Sequence, residues 1–171
     1  MVLINCFPLP SSMCVFGAEV LVIKNTVKAN EFSFIKKPPN GTFTWKVDKF
    51  STLDNKLYYS EVFSAGGCKW KLSVNPKGDS EEKDLSLSLY LNLAAAPRSK
   101  VYVEYKLLVK DQLNGIHRER KSSGWFVTGW GCRNFILLND LYDVSKGFLV
   151  DDTLIVEAKI LLMSVSQDLI C

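Results

Sequence analysis

Leu85-Ser-Leu-Ser-Leu-Tyr-Leu-Asn-Leu93 alternates leucine with serine, tyrosine or asparagine without a break. A strand with one buried face repeats every two residues, so the five leucines share one side and Ser86, Ser88, Tyr90 and Asn92 the other. At a helical period the same leucines would be scattered around the whole circumference. The run therefore reads as a strand with an apolar face, and its polar face is expected to look to solvent. That leaves Tyr90, a large aromatic residue, pointing outward. It is either ordinary surface packed against a cross-strand neighbour or part of a contact site.

Segments of the same kind lie on both sides. Phe43, Trp45 and Val47 alternate with Thr44, Lys46 and Asp48, and Cys68, Trp70, Leu72 and Val74 with Lys69, Lys71, Ser73 and Asn75. Val101 to Lys110 is rich in β-branched and aromatic residues, while Leu154, Val156, Ala158, Ile160 and Leu162 share a face. Turn chemistry punctuates them at Asn40-Gly41, Gly66-Gly67, Asn75-Pro76-Lys77-Gly78-Asp79, Ala96-Pro97, Asn114-Gly115 and Lys146-Gly147. Many short strands and no long helical period indicate an all-β sandwich or barrel. The best helical candidate is short, near Leu138 to Val144, with Asn139 or Asp140 placed to cap it. Trp45 and Trp70 lie on apolar faces and read as core.

Composition narrows the function classes. A chain of 171 residues has room for one ordinary domain and an appendage, and 47% hydrophobic with 23% charged residues is normal for a soluble globular protein. A net charge of +3 is too small for a nucleic-acid surface. The basic cluster Arg118, Arg120 and Lys121 encloses Glu119 and reads as a solvated loop. Five cysteines without a CxxC pair, and the single His117, give no zinc-ligand spacing. The acidic residues Asp79, Glu81, Glu82 and Asp84 lack calcium-loop spacing. No metal and no cofactor is expected. A thiol nucleophile needs a base beside it, and nothing in the sequence orients His117 toward Cys132, so no enzymatic activity is expected. No apolar run is long enough to span a bilayer. The apolar start lacks a basic region and is interrupted by Pro8 and Pro10, unlike a secretory signal. Asn40-Gly41-Thr42 matches the glycosylation pattern, but without such a signal it reads as a turn. A cytoplasmic location is expected, with the nucleus as an alternative.

One stretch echoes another. Val15-Phe-Gly-Ala-Glu-Val-Leu-Val-Ile23 is similar to Ile155-Val-Glu-Ala-Lys-Ile-Leu-Leu-Met163, with alanine and the following charge in the same places. Such an echo is how a tandem repeat shows itself; the alternative is chance likeness of two aliphatic strands.

The order of motifs is more specific. Phe43-Thr-Trp-Lys-Val-Asp-Lys-Phe-Ser51 is followed by Tyr59-Ser60, Phe63, Trp70-Lys-Leu-Ser-Val-Asn-Pro-Lys-Gly78 and Leu85-Ser-Leu-Ser-Leu-Tyr-Leu91. Trp130-Gly131, Phe135-Ile136, Gly147-Phe-Leu-Val-Asp-Asp-Thr-Leu154 and Val156-Glu157-Ala158 complete the set. From about Thr42 to about Leu162 the chain resembles the MATH (meprin and TRAF homology) domain, in its plant branch. The resemblance implies an eight-stranded antiparallel β-sandwich over 41–163, with a tail at 164–171. Residues 1–40 would be an extra strand left from an upstream repeat plus a linker, as in a truncated tandem member.

The resemblance also implies a function: a groove that binds short extended peptide motifs of client proteins, an adaptor role often tied to ubiquitin pathways. In related domains the groove is lined by aromatic side chains and takes an apolar anchor beside serine or threonine. Carried over, Tyr90 and Trp130 match groove aromatics, and Tyr105 takes the place of a groove phenylalanine. Ser88, Asn92 and Arg133 complete the peptide-binding set. Alternation puts Tyr105 in phase with Val101, Val103, Leu107 and Val109, so only a bulge would turn it outward. Two positions depart from the pattern. Cys132 stands where the family usually has phenylalanine, and a second groove aromatic falls at Gly124. The segment Trp125-Phe-Val-Thr-Gly129 also runs about two residues short. Two missing walls would weaken a peptide by about 1 kcal/mol or more, at roughly 25 cal/mol per Å². The other reading is a structural or self-assembling TRAF-like module, a homo-oligomer, or a degenerate fragment that binds no client.

Overall fold

The computed structural model describes residues 3–8, 14–19, 32–95 and 100–166. The chain divides into two compact units, Met1–Asn30 and Glu31–Cys171. In the first, β1 (Leu3–Pro8) and β2 (Cys14–Glu19) form an antiparallel hairpin, with Cys6 opposite Phe16. The echo strand therefore exists as a strand from Cys14 to Glu19, while its last four residues lie outside the described ones.

The second unit is a sandwich of two antiparallel sheets. One contains β3 (Phe32–Lys36), β4 (Thr42–Val47), β9 (Val101–Val109), β10 (Arg118–Phe126), β12 (Leu149–Val150) and β13 (Thr153–Ser166). The other contains β5 (Tyr58–Tyr59), β6 (Phe63–Ala65), β7 (Cys68–Asn75), β8 (Ser86–Leu93) and β11 (Gly129–Leu137). Among the described residues, eight of these strands have five or more residues: β3, β4, β7, β8, β9, β10, β11 and β13. The all-β sandwich follows from the alternating sequence, because each sheet can bury only one face and the two apolar faces bury each other.

The core lies where the leucine alternation points. Leu87, Leu89, Leu91 and Leu93 of β8 face inward with Trp70, Leu72 and Val74 of β7, against Val101, Val103, Tyr105, Leu107 and Val109 of β9. Trp70 sits edge-to-face with Phe126 at 5.4 Å between ring centroids, and Phe126 in turn with Tyr105 at 5.4 Å. Trp45 is only half-buried, packed against the margin of this cluster.

Several expectations need correction. Leu85 precedes the strand and is 59% exposed, so four leucines, not five, line the inner face. The polar side of β8 is not a solvent face. Ser86 and Ser88 are fully buried: the segment 76–85 folds back toward Ser86, whose Oγ donates to Glu82 at 3.0 Å, Asp79 of that segment reaches Tyr90, and Ser88 Oγ donates to the Arg133 carbonyl of β11. Gly78 makes that fold possible at φ 72°, where a Cβ would stand 2.2 Å from the Glu82 carbonyl oxygen. Period two separates faces but cannot say which outer face a loop will cover.

The basic cluster at Arg118–Lys121 lies on β10, not on a loop. The stretch read as linker contains β3, which pairs with the far half of β13, and β13 continues to Ser166. The helix is a single turn, α1 (Leu138–Leu141), without a side-chain cap. Asp143 instead caps the following turn by accepting from Ser145 N.

Glu157 shows how the sheet tolerates an acidic residue that is 6% exposed. Thr44 Oγ1 donates to it at 3.0 Å, and Lys110 and Lys159 approach at 2.9 and 3.0 Å. Burial alone would push its carboxyl up, but these hydrogen bonds outweigh it and hold the group below its usual value. A depressed folded value means stability present above about pH 4.5 that is lost as pH falls through the folded value. Glu157→Gln is expected to remove that acid-side increment, read as a smaller drop in urea midpoint below pH 4.5 than in the wild type.

Candidate functional site

The two sheets end together on one side. β10 is the outermost strand of its sheet and β11 of the other, joined by the tight connection at 127–128. Among the described residues no further strand of either sheet pairs with their outer sides, so each is an edge strand. Two contacts tie the edges: Trp130 Nε1 donates to the Trp125 carbonyl at 3.2 Å, and Arg120 Nη2 donates to the Asn134 carbonyl at 2.9 Å.

Pairing of β11 with β8 gathers most of the expected site residues here. Gly129 stands opposite Asn92, Gly131 opposite Tyr90 and Cys132 opposite Leu89. Gly131 is required by contact: a Cβ there would lie 2.2 Å from the Leu89 carbonyl oxygen and 2.5 Å from Tyr90 Cα. Between Cys132 and Ile136 four steps of β11 span only two of β8, a bulge that bends the strand. Ser88 Oγ donates into it, to the Arg133 carbonyl at 2.7 Å.

Trp130 is 51% exposed and is the largest apolar side chain on the β11 edge. Gly124, on β10, has room beside it: a Cβ would rest 3.8 Å from the Trp130 ring, an ordinary contact. The missing aromatic of the sequence pattern would stand at that place. Cys132 is half-buried, with Sγ 3.1 Å from Asn134 Oδ1. Arg133 is exposed, its Nε 3.8 Å from Asp79 Oδ1.

Tyr90 is half-buried and donates to Asp79 Oδ2 at 2.6 Å. Burial first, and then the adjacent carboxylate, push its hydroxyl up to about 12, so it stays protonated at any physiological pH. Asn92 is likewise occupied, donating to Ser73 Oγ at 2.9 Å.

Three members of the expected set are therefore not surface contacts as the structure stands. Tyr105 is 2% exposed in the core, because no bulge interrupts β9 where it pairs with β10 and the alternation holds. Its hydroxyl end lies toward Ser122 and Cys132, beneath the cleft between β10 and β11. Ser88 is buried under the bulge, and Asn92 serves the sheet.

Other residues at the site carry no sequence motif. Asp79 holds the Tyr90 hydroxyl from a loop eleven residues away. Trp125 is 45% exposed and sits edge-to-face with Tyr102 at 5.5 Å. Alternation with the buried Phe126 would have marked it as outward. His117 Nδ1 accepts from Asp111 N at 3.2 Å. Among the described residues no helix is long and apolar enough to cross a membrane.

Comparison with known proteins agrees with this architecture. The family model described as MATH domain matches residues 42–160. Ubiquitin C-terminal hydrolase 13 of Arabidopsis thaliana is 34% identical over 131 residues, covering 72% of this chain and 12% of the hydrolase. A MATH domain and coiled-coil domain-containing protein of Arabidopsis thaliana is 36% identical over 125 residues, covering 69% of this chain and 37% of that protein. The solved structure of TRAF5 from Notothenia coriiceps superposes with a TM-score of 0.57 at 23% identity, over 71% of this chain and 73% of that one, a likeness of fold. The chain belongs to the MATH domain family, whose fold is a protein-interaction module and not a catalytic one. It spans well under half the length of these curated relatives.

Proposed function

We propose that this domain is an adaptor that binds short, extended peptide segments of client proteins along the cleft between β10 and β11. The observation that supports it best is the meeting of two open strand edges beside a half-exposed tryptophan, Trp130. An extended chain laid there gains main-chain hydrogen bonds from an edge and an apolar wall for one side chain. Trp130 and Cys132 line the cleft side of β11, Tyr90 and Arg133 stand on the other face of the β8–β11 pair for a peptide that crosses the edge, and Gly124 leaves one side of the apolar wall open. Tyr105, Ser88 and Asn92 act from beneath, by holding the floor. That clients are recruited in a ubiquitin-related setting is part of the proposal, supported by the ubiquitin hydrolase among the relatives.

The test is affinity capture from plant lysate with wild-type domain beside Tyr90→Ala, Trp130→Ala and Gly124→Tyr. Trp130→Ala is expected to weaken retained clients about tenfold, the scale of a central aromatic anchor. Gly124→Tyr, by restoring a wall, is expected to strengthen them several-fold, about the worth of one aromatic contact. Identical captured proteins at identical affinity from all four would overturn the groove assignment.

A further inference from the structure

We infer that the cleft at the far end of this groove holds an anionic side chain of the bound peptide, either a carboxylate or a phosphorylated serine; the inference rests on the groove reading above. The cleft has a volume of about 310 Å³, and its polar lining is Glu82, Ser86, Arg118, Arg120, Asn134 and Asp140.

Period two puts Arg118 and Arg120 on one face of β10 and Glu119 and Lys121 on the other. The second face is tied in pairs across to β9: Lys106 meets Glu119 at 2.8 Å and Lys121 meets Glu104 at 3.5 Å. Among the described residues neither Arg118 nor Arg120 has a carboxylate at ion-pair distance. Arg120 is fixed in direction by its bond to the Asn134 carbonyl, which leaves its remaining N–H groups for a ligand.

The acidic lining does not cancel this charge. Asp140 is set against Lys146, whose Nζ lies 2.5 Å from Oδ1, and Glu82 accepts from Ser86. Two guanidinium groups thus face one carboxylate without a cation of its own. A guanidinium fork matches the oxygens of carboxylate and phosphate, and the cleft is large enough for either. Asn134 lies four residues beyond Trp130 on β11. At about 3.3 Å per residue, less what the bulge takes up, the anion falls roughly two to four residues from the apolar anchor.

The probe is a fluorescein-labelled peptide with one leucine flanked by serines and threonines. Its variants carry glutamate, phosphoserine or lysine in turn at each nearby position, and binding is read by anisotropy. One position is expected where glutamate and phosphoserine each tighten binding about fivefold and lysine weakens it. The gain, taken relative to the leucine peptide's own affinity for the same variant, is expected to vanish in Arg118→Gln/Arg120→Gln and to grow in Glu82→Gln. A response to phosphoserine alone narrows the ligand to phosphate, and a response to glutamate alone narrows it to carboxylate; both support the subsite.

No responsive position, a gain that survives loss of both arginines, or tightening by lysine that Glu82→Gln abolishes would overturn it. Failure of the leucine peptide to bind would count against the groove reading instead. The cleft is then tested by itself with N-acetyl-phosphoserine amide and with N-acetylglutamate amide in turn, followed on the arginine Nε–H NMR signals. Saturable movement of the Arg118 and Arg120 signals with either supports the anion site, and their standing still with both overturns it.

Discussion

Trp70→Ala is expected to lower the unfolding free energy by about 4 kcal/mol, the cost of emptying a tryptophan site in a close-packed core. Trp70 is fully buried at the centre of the sandwich. Its ring meets Phe126 edge-to-face at 5.4 Å, and its Nε1 donates to the Ala65 carbonyl at 3.1 Å. Truncation removes the apolar contact, opens a cavity between the sheets and strands a buried acceptor. Trp45→Ala, at the half-buried margin, is expected to cost less than half as much. Urea unfolding followed by circular dichroism measures both. Equal costs for the two tryptophans would contradict this placement of the core.

Gly131→Ala is the second large effect, at about 3 kcal/mol, the upper range for forced overpacking. The added methyl would meet the Leu89 carbonyl oxygen at 2.2 Å and Tyr90 Cα at 2.5 Å. Both are backbone of the central strand β8, which has no rotamer to give. The β11 edge must lift away from β8, and with it Trp130 leaves its place beside Gly124 and the Trp125 carbonyl. Loss of stability is therefore expected together with loss of client capture. Gly67→Ala is the control: no atom stands within 4 Å of its added Cβ, so only the left-handed φ of 82° is strained. A Gly131→Ala variant as stable as wild type would refute the close crossing of β11 over β8.

Much of this was legible in the sequence. Alternation named the buried faces of β7, β8 and β9 residue by residue, and it placed Tyr105 in the core against the family-based carry-over to the groove. Local pattern could not foresee long-range cover. Nothing in Ser86 announces that 76–85 folds back toward it, nothing in Ser88 that the β11 bulge covers it, and nothing in Asp79 that it will hold Tyr90. The basic cluster read as loop because its charges mask the strand period. Once its register on β10 is known, Arg118 and Arg120 separate from Glu119 and Lys121. The Trp-Gly motif gave the site its position, but the reason for the glycine is a backbone contact between strands forty residues apart.

On the proposed function, peptide binds along the edges of β10 and β11. Amide NMR of the labelled domain during titration with the leucine-anchored peptide tests it most directly. Shifts are expected to concentrate at Gly124–Phe126, Gly129–Asn134 and Tyr90. Shifts confined instead to β4 and β12 at the opposite margin, with β10 and β11 unmoved, would contradict it.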